Sequence, residues 1–278
     1  MTWTLPLPKL NEYRYAISTA AAGNSVTEKE LQSINGYLNV IVTHTPILKC
    51  WRAEIITEME RAKLSPEGVQ IKPQTRACLY NWLRILESLE EGFPITPPPQ
   101  SLPDFHYVID SDAAGLARGR RLQHEIGAGY VLSRHPDGRI LKTGQAFWDN
   151  DFIQNTYDMT DKFFGAKSTA LETAALIYPL YHNRRLLAGK RVVINCDNAN
   201  VRYAFEKGRS SLDPFTTMFI QALILCLTSM ECQIKIVSLL RCSTDKATLA
   251  DTLTRNDAKA HRTKSQLRSF EKGDWPRL

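Results

Sequence analysis

The chain has 278 residues, 43% of them hydrophobic and 23% charged, which is the composition of a globular protein of one or two domains with a sizeable core. That mixture excludes wholesale disorder, and the longest apolar run, 218–227, is interrupted by Gln221 and too short to span a bilayer. The net charge of +6 is unevenly placed: residues 1–103 carry ten basic and ten acidic side chains, whereas 255–278 carries seven basic and three acidic, the mark of a solvated tail or of a polyanionic partner.

In chain order, residues 1–23 hold Pro6, Pro8 and an alanine-rich stretch that fits no firm pattern. Thr27, with Glu30 three residues on, makes a capping box that starts a helix over 28–42. Pro46 ends it, and a second helix covers about 47–64. Cys78, Trp82, Ile85 and Leu89 recur at helical spacing, so 74–91 is a third amphipathic helix packing a small helical subdomain. Prolines at 94, 97, 98, 99 and 103 then predict an extended linker and a domain boundary.

Downstream the pattern changes to strands followed by helices, an α/β layer fold. The sequence predicts a strand at 105–109, a hairpin of 128–134 and 139–147 around Pro136, Asp137 and Gly138, and a loop over 148–164. A helix over 166–187, with Pro179 inside it, leads to a strand at 191–196. Helices at 200–206 and 214–230, a strand at 233–240 and a short helix at 246–254 complete the pattern. Between the first strand and the hairpin lies a basic insertion, 116–123, with Arg118, Arg120 and Arg121.

Six cysteines show no CxxC pair and no zinc spacing, and most sit in apolar runs, as buried free thiols of a reducing compartment do. The first ten residues lack the charged start and apolar core of a leader, which gives the expectation of a cytoplasmic or nuclear protein without a membrane partner.

The candidate chemistry lies in four carboxylates. Asp112 follows the first predicted strand and Asp197 the fourth, where an α/β sheet opens its ligand-binding crevice. Asp197 and Asn198 are equally the residue types that cap a helix. Glu172 has Thr169, Ala175 and Leu176 on its helical face, and Asp251 stands beside Ala250 and Leu253, so both acids face inward. Inward acids need a partner or a metal ion, and a set of hard oxygen ligands without histidine or cysteine suits Mg²⁺ or Mn²⁺. Singly, Asp112 also reads as a turn residue, Glu172 as a partly exposed helix position and Asp251 as a partner for Arg255.

Four motifs in this order, SDAAG at 111–115, LETAAL at 171–176, CDNANVRYAFEKGRS at 196–210 and LADTLTR at 249–255, resemble the ribonuclease H domain of retroelement reverse transcriptases. KELQSINGYLNVIVTHTPILKCWR at 29–52 and the helix around Trp82 resemble the thumb or connection region that precedes that domain. The resemblance implies an RNase H-like mixed five-stranded sheet flanked by helices over 104–256, a thumb or connection-like region with its linker over 1–103, and a basic tail over 257–278. It implies cleavage of the RNA strand of RNA/DNA hybrids, with two Mg²⁺ or Mn²⁺ ions on Asp112, Glu172, Asp197 and Asp251, and with Asp110 as the alternative first ligand. Arg118, Arg120, Arg121, Asn198, Lys207 and Arg209 are the expected nucleic-acid contacts.

Departures from the family pattern are also present. No adjacent aspartate pair occurs, so no polymerase palm and no DNA synthesis are expected, and a separate palm domain or other retroelement proteins are conceivable partners. His261 is a poor match for the mobile histidine of some family members. A non-catalytic nucleic-acid-binding or scaffolding remnant is the competing reading. A third is a transposase, integrase or exonuclease, since these share the carboxylate architecture.

Overall fold

The computed structural model describes residues 2–45, 48–91, 93–94, 104–114, 127–149, 151–152, 156, 166–210, 214–239 and 243–254. The linker at 95–103, the insertion with Arg118, Arg120 and Arg121, most of 148–164, Cys242 and the tail with His261 lie outside the described residues. The chain divides into two compact units, Met1–Pro97 and Pro98–Leu278. No helix among the described residues is long and apolar enough to cross a membrane.

The first unit runs β1 (Thr2–Trp3), α1 (Leu7–Ala22), β2 (Ser25–Val26), α2 (Glu28–His44), α3 (Lys49–Ala62), β3 (Val69–Gln70), α4 (Pro73–Glu91) and β4 (Phe93–Pro94). The short strands pair antiparallel, β1 with β4 and β2 with β3. Helix α1 occupies the stretch without a firm sequence pattern. It starts with a proline in its first turn, where no N–H partner is lost, and buries Leu10, Tyr13, Ile17, Ala20 and Ala21 at helical spacing. The capping box forms as expected, with Thr27 accepting from the Glu30 N–H and the Glu30 carboxylate accepting from the Thr27 N–H at 2.8 Å. Helix α2 then buries Leu31, Ile34, Leu38 and Ile41.

Trp82 of α4 is fully buried at the centre of this core. Its indole N–H donates to the Trp51 carbonyl at 3.1 Å, and the Cys78 thiol donates to the same oxygen, joining α4 to α3. Trp82→Ala removes a fully buried tryptophan from the core, and a loss of about 3–5 kcal/mol is expected for such a truncation. Urea unfolding of the full chain, followed by far-UV circular dichroism, reads this as an early transition absent from the wild type.

The second unit holds β5 (Tyr107–Ala113), β6 (Gly127–Arg134), β7 (Ile140–Phe147), α5 (Ala166–His182), α6 (Arg184–Leu187), β8 (Arg191–Cys196), α7 (Ala199–Lys207), α8 (Pro214–Ser229), β9 (Gln233–Ser238) and α9 (Asp245–Leu253). Its five-stranded sheet has the order β7-β6-β5-β8-β9. Strands β5, β6 and β7 form an antiparallel meander, and β8 and β9 run parallel to β5. This is the mixed, helix-flanked RNase H-like sheet expected from the sequence.

Alternation along the strands assigns the helices to faces. Tyr130 of β6 meets Tyr178 of α5 edge-on, and Ser111 of β5, its registered neighbour, donates to the Ala175 carbonyl, so α5 covers that face. Gly129, one residue earlier and pointing the opposite way, lies directly under α9, where a Cβ would collide with the Ala250 carbonyl and the Leu253 side chain. Helix α9 therefore covers the second face.

Two elements differ from expectation. Strand β5 does not stop at Ile109 but pairs with β6 as far as Ala113↔Ala128, so Asp110 and Asp112 lie inside the strand. The helix expected over 166–187 runs through Pro179 but breaks at Asn183, whose side chain donates to the Pro179 carbonyl and to the Tyr130 hydroxyl.

Candidate active site

The carboxyl ends of β5 and β8 lie side by side, with Asp110 registered against Asn195. Two residues further along the chain come Asp112, still inside β5, and Asp197, the first residue past the end of β8. The apolar Val192–Ile194 run fixes β8 in the core, and the chain turns into α7 immediately after Cys196. The cap of α7 is Asn198, whose side-chain oxygen accepts from the Asn200 N–H at 3.0 Å. Asp197 is therefore not the cap, and it sits half-buried one residue outside the helix. The Asn198 amide also donates to the Ser168 and Thr169 hydroxyls at 3.3 and 3.4 Å, tying the start of α7 to the first turn of α5.

One turn further along α5 stands Glu172, only 5% exposed. Its carboxyl hydrogen-bonds the Asp112 side chain and the Ala113 backbone and faces the charge of Asp197. Burial first, and then the charges of Asp112 and Asp197, hold it well above the usual carboxylate range. Ligand atoms of Glu172, Cys196 and Asp197 all lie within 4.8 Å of one another. Asp112, Glu172 and Asp197 thus lie together at this edge of the sheet.

Cys196 was not anticipated there. Its Sγ lies 4.0 Å from Glu172 Oε2, a contact made by the crossing of α5 over the sheet and carried by no sequence motif. Burial and the neighbouring Glu172 charge push this thiol well above its ordinary value in the metal-free protein.

Asp251 is not among the atoms gathered within 4.8 Å. Its helix passes directly over Gly129, the registered partner of Asp112, which places Asp251 on the element next to the cluster. Asp110, the alternative ligand, is 2% exposed and accepts a hydrogen bond from Asn195 Nδ2 at 2.9 Å. Lys207 and Arg209 are exposed at the far end of α7, about 13 Å along a nine-residue helix from its start. Asn198 is committed to capping. A separate groove, lined by Arg61, Ile71, Lys72, Arg76 and Tyr80, belongs to the first unit and contains none of the candidate acids.

The cluster fits a divalent cation on physical grounds. The charges acting on the buried Glu172 are those of two other acids, a repulsion that a bound cation converts to attraction. A pH effect follows. In the metal-free protein the folded state keeps a proton on Glu172 that the unfolded chain has released, so stability falls as pH rises above the ordinary Glu value of 4.5 and stops falling only above the raised folded value. In EDTA, the melting temperature of the wild type is expected to decline through that window. Glu172→Gln should flatten the decline, and Mg²⁺ or Mn²⁺ should restore the wild type at neutral pH. A wild-type profile no steeper than that of the variant would contradict the assignment.

No family model matches the chain, and no curated protein matches it. Among solved structures, it is similar to the N-terminal RNase H domain of a Mycobacterium tuberculosis protein, fused to maltose-binding protein, with 19% identity over 58% of this chain and 99% of that one and a TM-score of 0.39. An RNase H1 isolated from compost, in complex with an RNA/DNA hybrid, is similar at 16% identity over 56% of this chain and 98% of that one, again with a TM-score of 0.39. The prototype foamy virus protease-reverse transcriptase is similar at 15% identity over 70% of this chain and 28% of that one, with a TM-score of 0.39. The RNase H-like fold of the second unit rests on the strand order and directions described above, not on these overlaps.

Proposed function

We propose that the protein is a metal-dependent endonuclease that hydrolyses the RNA strand of RNA/DNA hybrids, derived from a retroelement reverse transcriptase. The observation that carries this reading is the convergence of the Asp112, Glu172 and Asp197 carboxyls at the carboxyl edge of the central parallel strands. The retroelement origin, and the reading of the first unit as thumb or connection-like, rest on the sequence motifs at 29–52 and 111–255.

In this reading Asp112, Glu172 and Asp197, joined by Asp251 from α9, hold two Mg²⁺ or Mn²⁺ ions. When bound, such ions activate water and stabilise the leaving oxygen of a phosphodiester. The chain's own residues prepare the site. Glu172 supplies a carboxylate from a buried helix face, and Asp197 stands just before the helix that Asn198 caps. Asn198 also fixes the distance between α5 and α7 and hence between Glu172 and Asp197. Lys207 and Arg209, with Arg118, Arg120 and Arg121, hold phosphates, which sets affinity and its salt dependence rather than sequence preference.

The test is a panel of labelled substrates in Mg²⁺ and in Mn²⁺: RNA/DNA hybrid, duplex DNA, duplex RNA and single strands. Cleavage confined to the RNA strand of the hybrid supports the proposal. Cleavage of duplex DNA in its place would move the protein to the transposase or exonuclease class, and binding of hybrid without cleavage to the inactive-remnant class.

A further inference from the structure

The groove of the first unit carries chemistry that the nuclease reading does not use. It encloses about 970 Å³, the size of a ligand site. Pro73, Ala77 and Tyr80 recur at helical spacing as one apolar stripe of α4, and Val69 and Ile71, at and just after β3, add to the apolar lining. Among the described residues that line the groove, three are basic, Arg61, Lys72 and Arg76, and none is acidic. Glu58 pairs with Arg61 at 2.5 Å from outside the lining, so the groove keeps the charges of Lys72 and Arg76. A cleft with apolar walls and one sign of charge concentrates the opposite charge. The backbone of β3 adds a third feature. The Ile71 N–H donates to the Asn24 carbonyl at 3.2 Å, and alternation along the pair then turns the N–H and carbonyl of Gln70 away from β2. That carbonyl accepts from Arg61, itself a lining residue, so the outer edge of β3 borders the groove.

We propose that this groove is a docking site for an acidic peptide segment of a partner protein, which lays an apolar side chain between β3 and the Pro73, Ala77 and Tyr80 stripe and sets its carboxylates against Lys72 and Arg76. The free edge at Gln70 suits an extended peptide backbone, and apolar pockets beside such an edge select its side chains. A nucleic-acid strand fits less well. Phosphates are gripped by the paired N–H groups of a guanidinium, and those of Arg76 are already spent on the Ala21 and Gly23 carbonyls, as Arg61 Nη2 is on Glu58 and Gln70. What remains is net positive charge beside an apolar surface with one half-exposed ring, Tyr80.

The experiment is fluorescence anisotropy of the full chain in EDTA with a panel of labelled peptides, each carrying a central leucine, phenylalanine or tryptophan between glutamates. The same peptides with glutamine in place of glutamate, and a labelled single-stranded oligonucleotide, are run beside them. At least one acidic peptide should bind saturably, more weakly as salt rises, and its glutamine form on the order of tenfold less tightly. Lys72→Glu and Tyr80→Ala should each weaken that peptide on the order of tenfold, and both side chains are exposed, so the fold is retained. Lys142→Glu makes the same charge change at an exposed position of β7 and should leave the affinity as it was. Failure of every acidic peptide to bind the wild type overturns the proposal, as does peptide binding that Lys72→Glu and Tyr80→Ala leave unchanged. Oligonucleotide binding that Lys72→Glu abolishes and that no peptide displaces overturns it in favour of a nucleic-acid site. A wild type that cleaves no hybrid defeats the nuclease reading alone, since the peptide experiment contains neither hybrid nor metal.

Discussion

Asp197→Asn is expected to reduce cleavage of the RNA strand of a hybrid by on the order of 10³-fold or more, with the fold and hybrid binding retained. The magnitude follows from the several kcal/mol of charge stabilisation that a correctly held divalent ion supplies, at about 1.4 kcal/mol per factor of ten in rate. Retention of the fold follows from local structure. Asparagine has the same shape as aspartate, α7 is capped by Asn198, and β8 is held by Val192, Val193 and Ile194 in the core. Removal of the Asp197 charge also lessens the repulsion on Glu172, so the metal-free variant should melt no lower than the wild type. Three measurements on the same preparation check this: single-turnover cleavage in Mg²⁺, hybrid binding by fluorescence anisotropy in EDTA, and thermal unfolding. Cleavage at the wild-type rate would remove Asp197 from the chemistry and leave the two-metal reading without one of its two partly exposed acids. Loss of cleavage together with the fold would say only that the junction is structural, and Cys196→Ser, which perturbs the same junction without removing a carboxylate, separates the two.

What the sequence made legible, and what it did not, divides along physical lines. Strand β8 was readable to the residue because Val-Val-Ile is apolar and β-branched and its boundaries are a charged residue and a helix cap. The capping box at Thr27 was readable because both partners lie within four residues. Strand β5 was cut short because Asp110 and Asp112 have poor strand propensity. Its last four residues are held by pairing with Val131, Tyr130, Gly129 and Ala128, a long-range effect. The acids of the site were recognised by type and motif order, but their roles were not separable. Asp110 and Asp112 look equivalent in the string DSD, but Asp110 accepts a hydrogen bond from Asn195, 85 positions away, whereas Asp112 meets Glu172, 60 positions away. Cys196 was dismissed as a companion because its approach to Glu172 is created by a helix crossing. The small side chain opposite Asp112 was equally silent, although Gly129 decides how closely α9 can approach.

Gly129→Ala is expected to be far more damaging than a single methyl group suggests. Its Cβ would collide with the Ala250 carbonyl oxygen and the Leu253 Cβ, which are backbone and near-backbone atoms of α9 with no rotamer by which to withdraw. The helix must move away from the sheet, and overpacking of this kind costs about 1–3 kcal/mol. Displacement also carries Asp251 away from the strand on which Asp112 faces Gly129 across the β5–β6 ladder. A misplacement of about 1 Å at a reacting centre costs on the order of 10²-fold in rate. Cleavage should therefore fall on the order of 10²-fold even where the protein remains folded, and the loss should concentrate in turnover rather than in hybrid affinity. Gly36→Ala is the control, because nothing lies within 4 Å of its added Cβ. There the helix gains about 0.5–1 kcal/mol from the better helix former, with cleavage unchanged. If Gly129→Ala destabilised the protein and left the turnover of its folded fraction intact, α9 would be a structural helix and Asp251 would lose its place among the ligands. If both fell together, the close approach at Gly129 would be what brings the last acid to the other three.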